Sequence, residues 1–140
     1  MKFGEDVARF AIEVDKDNEQ KMRGTAVSLF SEIAKMSPVD TGRFRGNWFV
    51  TGLKSSGKTT NKSNYDQTPK ESYDPTYIYN DVMAIKGWSV FHLTNNLPYS
   101  HVLEFGGYPN PAATGDKTEN GFSKQAPDGM VRVTIARHKI

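Results

Sequence analysis

The sequence contains no cysteine, so disulfide bonds and thiolate metal sites are excluded. It also lacks any apolar run close to the roughly 20 residues that a membrane-spanning helix requires. The first residues include Glu5 and Asp6 and no apolar stretch, whereas a secretory signal has an apolar stretch there. We therefore expect a soluble protein that folds in a reducing cytosol.

An excess of charge of one sign is also missing. The chain has 18 lysines and arginines against 16 aspartates and glutamates, a net charge of +2, and the two signs are interspersed. A dedicated nucleic-acid-binding protein usually shows a basic stripe, so the composition does not favour one.

Only 36% of the 140 residues are hydrophobic, while 12 glycines and 7 prolines indicate long loops. This length fits one domain, residues 1–140, with a single modest core.

Apolar side chains recur at helical spacing near the start of the chain. Steps of three or four residues separate Met22, Ala26, Leu29, Ile33 and Met36. This spacing predicts an amphipathic helix within residues 3–36. The polar run Asp15–Gln20 leaves open whether there is one helix or two. Pro38 ends the helical segment, because proline disfavours the helical conformation in the residue before it.

Two later segments, residues 44–53 and 88–94, are rich in aromatic and β-branched residues and predict a pair of antiparallel strands. Short helices are predicted over residues 76–86 and 99–105. The expected fold class is therefore α+β, with a long N-terminal helix packed on a small antiparallel β-sheet.

The remaining segments are two polar loops, residues 54–75 and 106–126, and an ambiguous C-terminus. After Pro127, alternation of Val131, Val133 and Ile135 favours a strand. Asp128 as an N-terminal cap and basic residues near the end favour a helix instead. The residues alone leave both interpretations open.

Residues 52–59 match the phosphate-binding loop pattern G-x-x-x-x-G-K-[ST] at every position. In such a loop Lys58 would bind the terminal phosphates and Thr59 would bind magnesium. The pattern also requires a following helix whose N-terminus faces the anion, but Thr60–Asn64 has no apolar face. A solvated loop is the favoured interpretation, and a nucleotide-binding enzyme is the alternative.

Histidines and carboxylates form two further candidate sites. His101 and Glu104 would share a helical face, and with His92 and His138 they are the candidate metal ligands. Asp40, His101 and Glu104 have the residue types of a hydrolytic acid–base site. Neither set has the spacing of an ordered site. Polar residues at the edge of a core are the favoured interpretation, and we predict no catalytic residue, no cofactor and no metal.

Several tyrosines lie in or beside the loop of residues 54–75. Because exposed tyrosine is enriched at protein interfaces, the candidate contact residues are Tyr65, Tyr73, Tyr77, Tyr79 and Tyr108. The aromatic residues of the strands and short helices are expected to pack in the core rather than to stack on nucleic-acid bases.

Four short strings stand in a specific order along the chain. They are SPVDTGR at residues 37–43 followed by Asn47-Trp48, LTNNLPY at residues 93–99, Leu103-Glu104, and SKQAP at residues 123–127 followed by GMVR. In this order they resemble the tail-completion, or head–tail joining, proteins of long-tailed bacteriophages, the broad group that includes lambda tail protein Z. The resemblance covers nearly the whole chain. Its positions are Asp40, Thr41, Gly42, Arg43, Asn47, Trp48, Asn95, Asn96, Pro98, Tyr99, Glu104, Lys124, Gln125, Pro127 and Gly129.

The resemblance implies a structural virion protein of the neck region, made in the host cytoplasm, and not an enzyme. It implies that the ambiguous C-terminal segment is a helix. It also implies a ring of identical subunits, for example a hexamer, whose partners are other neck and tail proteins. Passing DNA would be contacted without specificity, and no membrane would be involved. A small phage DNA-binding module is a further alternative.

Two loops depart from the family pattern. Pro109–Phe122 looks like an insertion, and Lys54–Pro75 matches nothing specific. We hypothesise that both segments become ordered only in the assembled joint, where interface burial offsets the entropy lost.

Overall fold

The computed structural model describes residues 3–61, 65–86, 90–106, 122–123 and 125–138, with side chains described from Lys16 onward. Predictions for Trp88, Tyr108, Lys124 and nearly all of the insertion fall outside these residues. The described elements, in chain order, are α1 (Phe3–Met36), β1 (Phe49–Gly52), α2 (Thr76–Ala84), β2 (Phe91–Thr94), α3 (Ser100–Phe105) and α4 (Val131–His138). This combination confirms the α+β class.

α1 is one continuous helix that includes the polar run Asp15–Gln20, which answers the question left open by the sequence. Its inward face buries Ala26, Phe30 and Ile33 among others. The helix ends where predicted. The hydroxyl of Ser37 donates to the carbonyl of Ile33 at 3.1 Å and its amide donates to the carbonyl of Ala34 at 3.2 Å, so two carbonyls of the last turn have partners.

β1 and β2 form an antiparallel pair with Phe49 opposite Thr94 and Gly52 opposite Phe91. The prediction that the first strand begins at Phe44 is wrong, because Arg45–Asn47 form a single 3-10 turn. Phe44 and Trp48 are both buried and pack edge to face at 5.5 Å between ring centroids. Residues four positions apart lie on one face of a helical turn, so the turn places both rings on the same side of the chain.

α2 packs on α1 through an arginine. Arg23 donates from Nη1 to the carbonyl of Val82 and from Nη2 to that of Ile85, both at 2.6 Å. Its guanidinium also pairs with Glu19 and lies 5.4 Å from the ring centroid of Phe91. α1 therefore caps the C-terminal end of α2, where helical carbonyls lack partners.

The C-terminal segment is a helix, α4, as the resemblance implied. It packs on the end of α1, where the Thr134 hydroxyl donates to the sulfur of Met36 at 3.1 Å. The core lies between these helices, the hairpin and the turns. Its buried apolar residues are Ala26, Phe30, Ile33, Ala34, Met36, Phe44, Trp48, Tyr73, Ile78, Val82, Leu97, Leu103, Ala126 and Met130.

Candidate functional site

Several positions that carry the resemblance make hydrogen bonds between separate segments of the structure. Five polar side chains among them join segments that are distant in the sequence. We call this set the polar framework; it consists of Asn47, Asn95, Asn96, Glu104 and Gln125.

Asn47 joins the turn after α1 to the long loop. It is fully buried. Its Nδ2 donates to the carbonyls of Arg43 at 2.7 Å and Thr60 at 3.2 Å, and its Oδ1 accepts the amide of Thr60 at 2.8 Å. Both ends of the buried amide group are therefore paired, which removes the cost of burying them.

Asn95 and Asn96 follow β2 and reach in two directions. Asn95 donates from Nδ2 to the carbonyl of Phe44 at 2.9 Å. Asn96 donates from Nδ2 to the carbonyls of Ser56 at 2.7 Å and Lys58 at 2.9 Å. The second strand thus fixes both the 3-10 turn and the first part of the loop.

Glu104 lies in α3 and supplies the acceptor for the N-terminus of α4. Its buried carboxylate accepts the amides of Val131 at 3.0 Å, Arg132 at 3.2 Å and Met130 at 3.3 Å. The negative charge also complements the positive end of the helix dipole. The expectation that Asp128 caps this helix is corrected: the carboxylate on its first amides comes from Glu104.

Gly129 permits the close approach on which this cap depends. Its φ is +84°, and a Cβ there would collide with the backbone oxygen of Glu104. Arg132 strengthens the same contact, because its Nη2 donates to that oxygen at 2.7 Å. A side chain at position 129 would therefore push α3 away from α4.

Gln125 fastens the C-terminal segment to the turn after α1. Its side-chain amide pairs with the backbone of Val39 as a residue of a neighbouring strand would. Nε2 donates to the Val39 carbonyl at 2.9 Å, and Oε1 accepts the Val39 amide at 2.8 Å. Nearby, the indole of Trp48 donates to the Ser37 hydroxyl at 2.7 Å. The first contact holds the C-terminal segment against the turn after α1, and the second holds Trp48 against the end of α1.

The polar framework binds mainly the chain's own backbone. Other positions of the resemblance are structural or exposed: Thr41 accepts the Arg43 amide at 3.2 Å, while Asp40, Pro98 and Pro127 lie at the surface. The rings of Tyr99 and Phe44 pack 6.0 Å apart. The described hydrogen bonds of this arrangement therefore hold segments of the chain to one another.

Arg45 is a central residue that sequence reasoning missed. It is 1% exposed, and its guanidinium lies 3.7 Å from the ring centroid of Tyr73. Nη2 donates to the carbonyl of Asp66 at 3.0 Å. Hydrogen bonds from Thr68 to the Asp66 carboxylate, followed by the charge of Arg45, lower the pKa of Asp66. Only packing against residues far along the chain distinguishes Arg45 from its neighbour Arg43.

The loop of residues 54–75 is attached to the body along its described length. Asn96 binds its first turn, Asn47 binds Thr60, and Arg45 binds Asp66. The hydroxyl of Tyr65 also donates to the Thr60 carbonyl at 2.7 Å. The described part of this loop therefore has partners within the single chain, and the hypothesis that the segment becomes ordered only on assembly stays a prediction.

The resemblance to a phosphate-binding loop stops at the sequence pattern. Neither Lys54–Asn61 nor residues 65–69 contain a helix, so the described chain lacks the helix N-terminus that would face a phosphate. The amide of Lys58 donates to the Ser56 hydroxyl at 3.0 Å instead of facing an open cradle.

Asn96→Ala is expected to release the start of the loop while leaving the fold intact. The carbonyls of Ser56 and Lys58 would lose their side-chain donor but are near solvent, so the stability loss should stay near 1 kcal/mol. Hydrogen exchange over residues 54–61 should accelerate at least about tenfold. Asn80→Ala, at an exposed position of α2, is the matched control. Unchanged exchange in Asn96→Ala would contradict this anchoring role.

The two candidate sets of histidines and carboxylates do not assemble. Among the described residues, no group of three or more potential ligands lies close enough to hold a metal ion. His101 stacks on Phe105 at 4.7 Å, and His138 contacts the Ser28 hydroxyl at 3.1 Å and the Thr134 carbonyl at 2.9 Å. Glu104 is occupied by the amides of α4.

The candidate contact tyrosines divide into inner and outer residues. Tyr79 is 52% exposed, while Tyr65 and Tyr77 are half-buried. Tyr73 is 8% exposed, because Arg45 lies over its ring; the expectation that it lies at the surface is therefore corrected. Tyr77 donates from its hydroxyl to the Trp48 carbonyl at 3.0 Å.

Burial raises the pKa of both Tyr73 and Tyr77 above the ordinary value of 10.0. The raised pKa of both phenols therefore contributes to the stability of the folded state, and this contribution is fully present below pH 10. It is lost as the pH rises further, since the unfolded chain releases the protons first. In an absorbance titration at alkaline pH, we expect Tyr73 and Tyr77 to ionise only as the protein unfolds. Tyr73→Phe and Tyr77→Phe identify their share of the absorbance change. Ionisation of both phenols before unfolding would contradict the burial.

An open groove of about 240 Å³ lies between α3 and the start of α4. Phe105 forms part of its rim, with the guanidinium of Arg132 4.7 Å from the centroid of its ring. Its lining residues are Phe44, Trp48, Asn95, Ser100, His101, Glu104, Phe105, Met130 and Val131.

Comparison with protein-family models, with curated proteins and with solved structures found no match. Within the described part of the chain, none of the helices is both long and apolar enough to cross a membrane.

Proposed function

We propose that this protein is a structural virion subunit of a long-tailed bacteriophage, which completes the end of the tail and joins it to the head at the neck. The ordered strings around Asp40, Asn95, Glu104 and Gln125 support this assignment. One observation carries it: in the structure these strings are joined to one another by hydrogen bonds, mainly to backbone atoms. Residues that would be diagnostic of an enzyme should instead face a substrate.

Exposed apolar side chains favour the same function. Tyr79 and Met83 on α2, Phe105 on α3 and Ile135 on α4 are each about half exposed. A subunit that works alone gains nothing from them, whereas a subunit of a larger particle buries such residues on assembly. We therefore infer a homo-oligomeric ring, a hexamer for example, that contacts other neck and tail proteins and DNA only in passing.

The function is tested by deleting the gene from the phage that encodes it. We expect filled heads and finished tails that remain unattached, visible by electron microscopy and separable by sedimentation. Adding the purified protein to such lysates should restore joined, infectious particles. Complete particles formed without the gene would refute the proposal.

Lys58→Ala separates the structural function from a nucleotide-binding one. Because residues 59–61 and 65–69, the described residues after Lys58, form no helix of the kind that phosphate binding needs, the variant should restore particles as well as the wild type does. Calorimetry of the wild-type protein with ATP and magnesium should give no binding heat. Nucleotide turnover that depends on Lys58 would favour the enzyme instead.

A further inference from the structure

α1 begins well before the residues through which it packs on the core. Six of the seven residues 16–22 are exposed, and the seventh, Glu19, is partly exposed. Because seven consecutive residues point to all sides of a helix, the rest of the protein covers little of α1 there. The helix nevertheless continues back to Phe3. We call residues 3–15 the N-terminal arm.

The N-terminal arm carries a narrow apolar stripe. At 100° per residue, four apolar positions fall within about 60° of one another around the helix axis. They are Phe3, Val7, Phe10 and Val14. The middle of this stripe lies about 130° around the axis from the positions of Ala26, Phe30 and Ile33, which are buried in the core. The stripe is therefore not a continuation of the side of α1 that packs on the core.

Carboxylates border one side of this stripe. Asp6 and Glu13 lie within about 20° of each other around the axis, and about 70–90° from the middle of the stripe. Arg9 lies farther away, at about 130°. The whole arm has four carboxylates and one arginine. A helix with an apolar side and an acidic border is suited to an apolar groove that has a basic rim.

The groove between α3 and the start of α4 has this character. Its lining includes Phe44 and Trp48, which are buried aromatic residues. At its rim the ring of Phe105 lies 4.7 Å from the ring of His101 and 4.7 Å from the guanidinium of Arg132. More than half of the Phe105 and Arg132 side chains is exposed. The carboxylate in the lining already accepts the first amides of α4, so it does not oppose an acidic ligand as a free charge would.

The arm of a chain cannot reach the groove of the same chain. Trp48 lines the groove and donates to the hydroxyl of Ser37, the residue after the end of α1, at 2.7 Å. The groove therefore lies at the C-terminal end of α1, whereas the arm is at the N-terminal end. From Val14 to Met36 the continuous helix rises by about 33 Å, at about 1.5 Å per residue. An arm that occupies this groove must come from another molecule.

We propose that the N-terminal arm of one copy of the chain binds in the groove of a second copy. Phe10, near the middle of the stripe, enters the groove. A cavity of about 150 Å³ accepts benzene, so a groove of about 240 Å³ accommodates one phenyl ring. Asp6 and Glu13 then approach Arg132 at the rim.

Every copy gives its arm to the next copy and receives the arm of the copy before it. Arm and groove are different surfaces, and a heterologous contact of this kind closes into a ring when the rotation permits. The inference rests on the proposed function, because it names the contact that builds the ring.

Two substitutions test the contact from its two sides. Phe10→Asp places a charge in the apolar stripe, and Phe105→Ser removes the ring at the groove rim. Analytical ultracentrifugation over a wide concentration range should show an oligomer of more than two chains for the wild type. In each variant alone, association should weaken by about 30-fold or more, as for a central contact residue.

A mixture of the two variants gives a sharper result. Phe10→Asp retains an intact groove, and Phe105→Ser retains an intact arm. An equimolar mixture should therefore form a complex of two chains and nothing larger, because the remaining arm and the remaining groove are both altered. Pairing of like surfaces, arm on arm or groove on groove, does not produce this pattern.

Ile12→Asp is the matched control. Ile12 is an apolar residue of the same arm, but it lies about 170° around the axis from the middle of the stripe. This variant should assemble like the wild type. Circular dichroism and thermal melting of all variants check that the fold is retained. A Phe105→Ser variant that fails to fold is replaced by His101→Asp, at an exposed position of the groove.

Charge reversal tests the acidic border separately. Asp6→Lys together with Glu13→Lys should weaken association by about tenfold at low ionic strength, since attraction to Arg132 becomes repulsion. Unchanged association in this double variant would contradict the placement of the two carboxylates beside Arg132.

Failure of this inference is distinguishable from failure of the proposed function. A wild-type protein that stays monomeric or stops at two chains would overturn the inference. Assembly that survives either Phe10→Asp or Phe105→Ser would overturn it as well, while heads and tails that stay apart without the gene would leave the function standing. Arm exchange between copies together with complete particles from the deleted phage would overturn the function alone.

Discussion

Glu104→Ala is expected to lower the free energy of unfolding by about 3 kcal/mol. Alanine would leave the successive amides of Met130, Val131 and Arg132 without their acceptor. Because Met130 is fully buried, water cannot replace the carboxylate fully. For a chain of this length the melting temperature should fall by about 10 °C. Thermal melting followed by circular dichroism measures both quantities.

Two companion variants show which atom of the cap matters. Glu104→Gln keeps one acceptor oxygen but brings an amide nitrogen toward backbone donors, so about half of the loss should remain. Asp128→Ala alters the residue that sequence spacing favoured as the cap and should cost no more than about 0.5 kcal/mol. A larger loss from Asp128→Ala than from Glu104→Ala would contradict the cap described here.

The helices were predictable because their signals are local. The three- and four-residue spacing within α1 and the pair Ile78 and Val82 in α2 are visible over a dozen residues. Both helices pack these positions in or against the core, except that Met22, at the start of the α1 stripe, is exposed. Pro38 marked the end of α1 for an equally local reason. The region after Pro127 carried two conflicting patterns, and contact with Glu104 and Met36 decides in favour of a helix.

The polar framework was not predictable, since its pairings span long stretches of chain. Gln125 binds Val39 across 86 residues, and Glu104 binds Val131 across 27. Arg45 shows the same limit: a charged residue is rarely buried unless it is paired, and its partners Asp66 and Tyr73 lie beyond a polar loop. No spacing rule connects such positions.

The framework also explains why the family resemblance needs an ordered set of strings. Asn47 and Asn95 contact the 3-10 turn and the loop, while Glu104 and Gln125 contact the C-terminal segment. Each string supplies one part of a shared hydrogen-bond network. A single string is therefore short and a weak sequence signal on its own. Together they specify one shape, which is consistent with the function proposed above.

Gly42→Ala is expected to destabilise the protein by about 3 kcal/mol or more, of which about 1–2 kcal/mol comes from the left-handed backbone alone. Gly42 has φ +87°, and a Cβ there would collide with the Asp66 carbonyl and lie 2.9 Å from the Cβ of Tyr65. The loop cannot shift freely to relieve this contact, because the same carbonyl accepts from Arg45.

Gly24→Ala provides the contrast within the same chain. Gly24 lies inside α1 with nothing within 4 Å of the position that a Cβ would occupy, so alanine should stabilise the helix by about 0.5–1 kcal/mol. Chemical denaturation of both variants measures the difference, and hydrogen exchange over residues 65–68 should rise only in Gly42→Ala. If Gly42→Ala left the stability unchanged or raised it, the close packing of the loop on the turn would be refuted. The loop's place against the turn therefore depends on the absence of a side chain at this one position.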